Sequence, residues 1–286
     1  MNIVIFNNKH KIDLDEQSYS CLYLDASSVT TEALEATVER ISSFKPDLFI
    51  EEEKNDGVSR FTDIYKRFPK VKKAWWMIDA HTNLIEHVVY AKQFDYIFCA
   101  QSWFIPIIEH EVKELVFFLP LCHTQTLTEY ENMLKYPVEK DIPFSFIGNV
   151  RSFHVDRAEY VMDLLEIMGD KFFAVRTEYD KSLWYLRRSN KTFNCSLNND
   201  LNFRVWEAIA CQTIPVTDMV NDLDMVEGLR DYVITYDKMS ADWKVLDQIV
   251  MFTTQERDRF IRKHTMTNRY KELLEMAQHL QQVEYR

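Results

Sequence analysis

Short apolar runs alternate with helix-period segments along nearly all of this 286-residue chain, and no other feature narrows the fold as much. In the first half, residues 3–6, 21–24, 47–51, 73–78, 96–99 and 115–119 have strand length and are apolar on both faces. Segments 31–43, 59–67, 82–92 and 103–111 between them carry helical spacing. Such strands belong in a parallel sheet covered by helices on each side. The stretch 135–143, KYPVEKDIP, sets two prolines among charges and reads as a linker.

Beyond it the alternation restarts, with strands expected at 144–150, 172–175, 192–195, 213–217 and 232–235. Helices are expected at 155–168, 180–188, around Arg204 and at 222–229. Residues 255–283 then read as one long helical tail with Leu273, Leu274, Met276, Ala277 and Leu280 on one side. The expectation is two consecutive α/β domains, 1–137 and 138–254, and a C-terminal helix, 255–286. Hydrophobic residues at 47% and aromatics at 14% suffice for two cores. Two similar domains facing each other would place a ligand in the cleft between them.

The charge balance narrows the partners. A formal charge of −11, from 45 acidic and 34 basic residues, argues against broad binding to nucleic acid, which needs a basic surface. A local basic pocket for a small phosphate stays compatible with it, as does a homodimer. Five cysteines without framework spacing fit a reducing compartment, and neither CxxC nor HExxH occurs. MNIVIFNNKH has no charged-then-apolar signal region, and 18 apolar residues never run together. A soluble, cytoplasmic protein without a transmembrane segment is therefore expected.

Residues 194–218, NCSLNNDLNFRVWEAIACQTIPVTD, point to function most directly. A polar loop leads into a short helix carrying Arg204 and Glu207, which stops near Cys211-Gln212 before a strand. Arg204 falls in the first helical turn, where backbone N–H groups and the dipole favour an anion. Glu207, one turn on, can accept hydrogen bonds from a diol such as ribose. Phosphate plus ribose marks a nucleotide-type donor. The competing reading is an ordinary intrahelical ion pair, and Asn202 suits a helix N-cap as well as a ligand contact. Gly148 ends the first strand of the second half, where a residue without Cβ lets backbone approach a pyrophosphate. Arg151 and Arg157 open the next helix, a place the dipole disfavours for arginine unless an anion is near. Arg176-Thr177 ends the following strand, where backbone can hold a base, and Tyr179, Trp184 and Tyr185 either stack on it or fill the core.

These residues resemble a family. Gly148-Asn149, Arg157, the run Asn202 to Cys211 with its N-x-R-V-[FW]-E-A-x-A-C pattern, Pro215, and His264-Thr265 with Arg269 look like the CgeB-like (spore maturation type) group of GT-B glycosyltransferases. The resemblance is best over about residues 140–275, and WWMIDAHTN and FDYIFCAQ resemble the acceptor-side domain. It implies an α/β fold of two Rossmann-like domains facing a cleft, the last helix crossing back to the first domain. It also implies a nucleotide-sugar donor on the second domain, with Glu207 on the ribose. Many retaining relatives carry a glutamate eight residues before that one. Here Asn199 stands there, so sugar contacts would fall to Asn199, Asn198 or Asp200. Gln212 replaces the glycine usual after this helix, at a position that often needs a left-handed backbone.

In the first half, Asp79-Ala80-His81 follows the apolar strand AWWMI directly, where ligand groups sit in open α/β sheets. Asp79 or His81 would serve as the base of an inverting transfer. The competing reading makes Asp79 the N-cap of the 82–92 helix. The run Glu51-Glu52-Glu53 is a second base candidate, though a solvated acidic turn reads better. Asp13/Asp15 and Asp222/Asp224 match Asp-x-Asp but lack a long apolar strand before them, so both read as surface charges and no metal is expected. No Walker loop, GxGxxG or GxSxG occurs. The expectation is a metal-independent glycosyltransferase without a cofactor, moving a sugar from a nucleotide diphosphate donor, UDP by base rate, to a glycan, protein or small-molecule hydroxyl. The alternatives are a nucleotide-sugar epimerase of the same architecture and a non-catalytic nucleotide-sugar-binding subunit.

Overall fold

In the computed structural model, residues 1–6, 12, 14, 18–25, 33–52, 61–150, 155–240, 242–250 and 252–284 are described. The chain divides into two compact units. Unit 1 is Met1–Pro120 with Met266–Arg286, and unit 2 is Leu121–Thr265.

Unit 1 is built on strands β1 (Asn2–Phe6), β2 (Ser20–Leu24), β3 (Leu48–Glu52), β4 (Lys72–Met77), β5 (Tyr96–Cys99) and β6 (Val116–Phe118). Helices α1 (Leu34–Phe44), α2 (Thr62–Arg67), α3 (Leu84–Ala91) and α4 (Ile105–Val112) alternate with them. All pairings are parallel, in the order β2-β1-β3-β4-β5-β6. One face carries an aromatic cluster in which Phe6 meets Phe49, Phe61 and Tyr65, and Trp75 meets Tyr90 and Phe94. Each such ring, fully buried, is worth about 1.5–3 kcal/mol.

Unit 2 holds β7 (Ile142–Ile147), β8 (Phe172–Val175), β9 (Ser189–Asn194), β10 (Ile214–Asp218) and β11 (Ile234–Tyr236). Its helices are α5 (Leu127–Leu134), α6 (Val155–Met168), α7 (Tyr179–Arg188), α8 (Phe203–Ala210), α9 (Asp222–Met225) and α10 (Thr254–Lys263). The sheet is again parallel, in the order β11-β10-β9-β7-β8. Strand order therefore reverses between β7 and β9, and in such sheets ligands bind beyond the carboxyl ends of the strands at the reversal.

The tail expected as one helix over 255–283 is two. α10 ends at His264, and α11 (Met266–Glu284) starts after Thr265, so the break falls where the chain passes from unit 2 to unit 1. In unit 1, α11 buries Tyr270, Leu273, Leu274 and Ala277, and Tyr270 stands edge-on to Trp76. Arg269 donates to the carbonyl of Pro120 at 2.9 Å and pairs with Glu272 at 2.8 Å. The expected linker differs as well. Its end enters β7, and Lys140 within it donates to the carbonyls of Ser189 and Cys211, which anchors the stretch.

Candidate functional site

The loops beyond β7 and β9 are tied together by one side chain. Arg157, on the first turn of α6, donates to the Asn149 carbonyl at 3.3 Å and the Cys195 carbonyl at 2.6 Å. It thus bridges the two loops at the strand-order reversal of unit 2. Two polar atoms there, Arg157 Nε and Asn149 Oδ1, are buried without a partner among the described residues. Gly148 donates its N–H to Val175, and a Cβ on it would lie 3.1 Å from the Phe146 ring. The absence of a side chain is therefore also a packing requirement. Arg176 lies exposed beyond β8, and Arg151 lies outside the described residues.

The neighbouring loops are fixed by a network that pattern reading missed. Asp218, buried at the end of β10, accepts from the Ser196 N–H at 2.6 Å and from the Ser196 hydroxyl, and pairs with Lys238 at 3.0 Å. Lys238 also donates to the Ser196 carbonyl at 2.9 Å. An aspartate closing a mostly apolar strand was the available signal, since a carboxylate there needs partners.

α8 begins as its sequence dictates. Asn202 is the N-cap, its side chain accepting from the Arg204 N–H at 3.0 Å. Asn198 and Asn199 precede it in left-handed conformation, which asparagine tolerates better than most residues. Arg204 and Glu207 pair at 2.9 Å, and Arg204 also reaches the Ser182 hydroxyl on α7 at 3.4 Å. Glu207 is almost fully buried; burial pushes its carboxyl up, and Arg204 opposes the shift. The helix closes in a Schellman motif, Thr213 N–H to Ala208 and Gln212 N–H to Ile209, with Gln212 at φ 62°.

Asp79 and His81 belong to unit 1, unlike the candidates on the loops beyond β7 and β9 and on α8. The Asp79 carbonyl accepts from Thr82, and the N-cap of α3 is Asn83, so Asp79 does not cap the helix. Gln101, at the end of β5, accepts from the Ala80 N–H at 3.2 Å and donates to the Ile78 carbonyl. This buried amide, which sequence reasoning passed over, holds the segment that carries Asp79 and His81.

Two acidic assignments are corrected. Glu51 and Glu52 are not a solvated turn but buried in β3: Glu51 accepts from the hydroxyls of Tyr65 (2.5 Å) and Tyr90 (2.6 Å), and Glu52 from that of Tyr270 (3.0 Å). Asp222 is buried in α9 and not a surface charge, whereas Asp224 is exposed. Glu53, Asp13 and Asp15 lie outside the described residues. His264 packs its ring on Trp206 and Phe260, at 5.1 and 4.5 Å between centroids.

No protein-family model and no curated protein sequence matches the chain. Solved structures do. The apo structure of OtsA aligns with 96% of this chain and 98% of its own at a TM-score of 0.59 and 8% identity. The fold is of the GT-B kind. A variant of the O-GlcNAc transferase of Thermobaculum terrenum aligns with 99% of this chain and 67% of its own, at TM-score 0.60 and 11% identity. HepE of Anabaena, in complex with UDP and glucose, aligns with 97% of this chain and 99% of its own, at 0.54 and 10%. Each unit is a parallel Rossmann-like sheet, and α11 follows them. Among the described residues, no helix is long and apolar enough to cross a membrane.

Proposed function

We propose that the chain is a nucleotide-sugar-dependent glycosyltransferase of the CgeB-like group, with unit 2 holding the donor and unit 1 presenting the acceptor. The observation that carries this is the reversal point of unit 2. There Arg157 ties the loops beyond β7 and β9, and two buried polar atoms have no partner among the described residues. Arg204, half-buried, pairs with the buried Glu207 on the helix that follows. A GT-B neighbour holding UDP and glucose supports a diphosphate sugar as the ligand.

In this reading the Gly148-Asn149 backbone, Arg151, Arg157 and Arg204 face the diphosphate, whose charge they meet without a metal. Glu207 accepts from the ribose hydroxyls, Arg176 borders the base, and Asn199 and Asn202 border the sugar. The acceptor oxygen bonds to the anomeric carbon as the bond from that carbon to the phosphate oxygen breaks. The acceptor proton goes to Asp79 or His81 in an inverting transfer, or to the departing phosphate in a retaining one.

The test is thermal stabilisation by UDP, GDP, CDP, ADP and dTDP sugars, repeated on Glu207→Ala. A ligand at about 100 times its Kd adds roughly 2.7 kcal/mol. One nucleotide family is expected to stabilise the wild type and not the variant; no stabilisation by any of them overturns the donor assignment. Asn199, standing where many retaining relatives have glutamate, favours a second reading, a subunit that binds the donor without turnover. Full retention of transfer in both Asp79→Ala and His81→Ala would remove the proposed base.

A further inference from the structure

A cavity of about 330 Å³ opens between α5 and α7 within unit 2. Its lining shares no residue with the loops that Arg157 ties at the reversal point, while Tyr179 lies within electrostatic reach of Glu207 and Arg204. Ser182 turns to Arg204, while Tyr179, Asp180, Leu183 and Arg187 line the cavity. From α5 come Asn132 and Met133, and Gln125 lies in the segment before it.

The lining has a definite chemistry. Tyr179, a residue 45% exposed, hydrogen-bonds Thr124 through its hydroxyl, which fixes its ring. Gln125 Oε1 is buried without a partner among the described residues, an acceptor that lacks a donor. Asp180 accepts hydrogen bonds, Asn132 and Arg187 donate them, and Met133 and Leu183 supply apolar surface. Asp180 and Glu129 outnumber Arg187, so a phosphate or diphosphate is repelled. A ligand that satisfies this set is uncharged, carries groups that both donate and accept, and has an apolar face for an aromatic ring. Sugar rings have all three properties. The volume lies at the small end of ligand pockets, suited to a mono- or disaccharide.

We propose that the α5–α7 cavity is a binding subsite for a neutral saccharide, separate from the nucleotide-sugar site and independent of whether that assignment holds. Asn132, Asp180 and Gln125 bind its hydroxyls, and the Tyr179 ring lies against its apolar face.

The experiment is saturation-transfer NMR on the full chain with N-acetylglucosamine, maltose, cellobiose and lactose, each titrated to about 10 mM. At least one is expected to bind saturably, about tenfold more weakly to both Asn132→Ala and Asp180→Ala. Both positions are exposed, and unchanged melting of the variants shows that they fold. Tyr179→Phe, which keeps the ring, should retain binding that Tyr179→Ala loses. No saturable binding by any of the four, equal binding by the variants, or displacement of the sugar by UDP overturns the proposal. Failure of UDP to bind refutes the donor assignment alone and leaves this titration decisive.

Discussion

Gln212 holds a left-handed backbone, φ 62°, at the residue after the helix cap, and its side chain is exposed. Glycine occupies that conformation without strain, so Gln212→Gly removes a steric cost and loses no packing. The expected outcome is a gain of about 0.5–1 kcal/mol in urea denaturation; a loss would mean that the Schellman geometry does not need a left-handed residue here. His123 presents the opposite situation. Burial lowers its pKa from 6.5 to about 4, and neither ring nitrogen has a partner among the described residues. The native state therefore stays unprotonated where the unfolded chain takes up a proton. Stability from this group is complete above pH 6.5 and is lost as the pH falls toward 4. His123→Phe keeps the stacking with Tyr130 and removes the titration. Its stability should fall by about 2 kcal/mol less than that of the wild type between pH 7 and 4.5. Equal pH slopes would show that another group controls acid sensitivity. The pattern of the chain made Gln212 conspicuous, because the resemblance led one to expect glycine. It said nothing of His123, whose burial depends on contacts distant in sequence.

At the scale of elements, capping chemistry decides where helices start. Thr126 with Glu129 and Thr253 with Glu256 form complete capping boxes, each threonine accepting from the N–H of its glutamate and each glutamate from the threonine N–H. Thr253→Ala should cost about 1 kcal/mol, read as a lower melting temperature, with Thr253→Ser restoring most of it. No difference between alanine and serine would place the start of α10 under tertiary control instead. The same signature shows why α5 was missed. The T-x-x-E spacing at 126–129 was present, but the helix has only eight residues and adjoins the proline-bearing stretch 135–143. The alternation that made the strands legible works because both sheets are parallel and buried on both faces. The break at His264-Thr265 carries no proline or glycine to mark it. Only the phase betrays it, since Phe260 and Ile261 of α10 do not share a helical face with Met266, Tyr270, Leu273 and Leu274 of α11. For the candidate site, local spacing exposed Asn202, Arg204 and Glu207 on one helix. Ser196, Asp218, Lys238 and Gln101 escaped because their partners come from other strands.

For the whole molecule, the division into two units predicts two unfolding transitions, with the residues assigned to the donor in unit 2. Unit 1 is not continuous in sequence, because it includes α11 from the far end of the chain. Met266, Tyr270, Leu273 and Leu274 are buried in it, and at about 1.5–3 kcal/mol each they match the net stability of an ordinary domain, about 5–15 kcal/mol. A chain ending at Thr265 should therefore lose the calorimetric transition of unit 1. Unit 2 runs unbroken from Leu121 to Thr265, and its entry and exit segments are joined to each other by the bridge His123 to Thr265. Its transition should survive the truncation, together with any upward shift produced by UDP, since the residues assigned to the donor lie within it. Loss of both transitions would show that unit 2 depends on unit 1 for folding. Survival of unit 2 without the UDP shift would move part of the donor site to the other half of the chain.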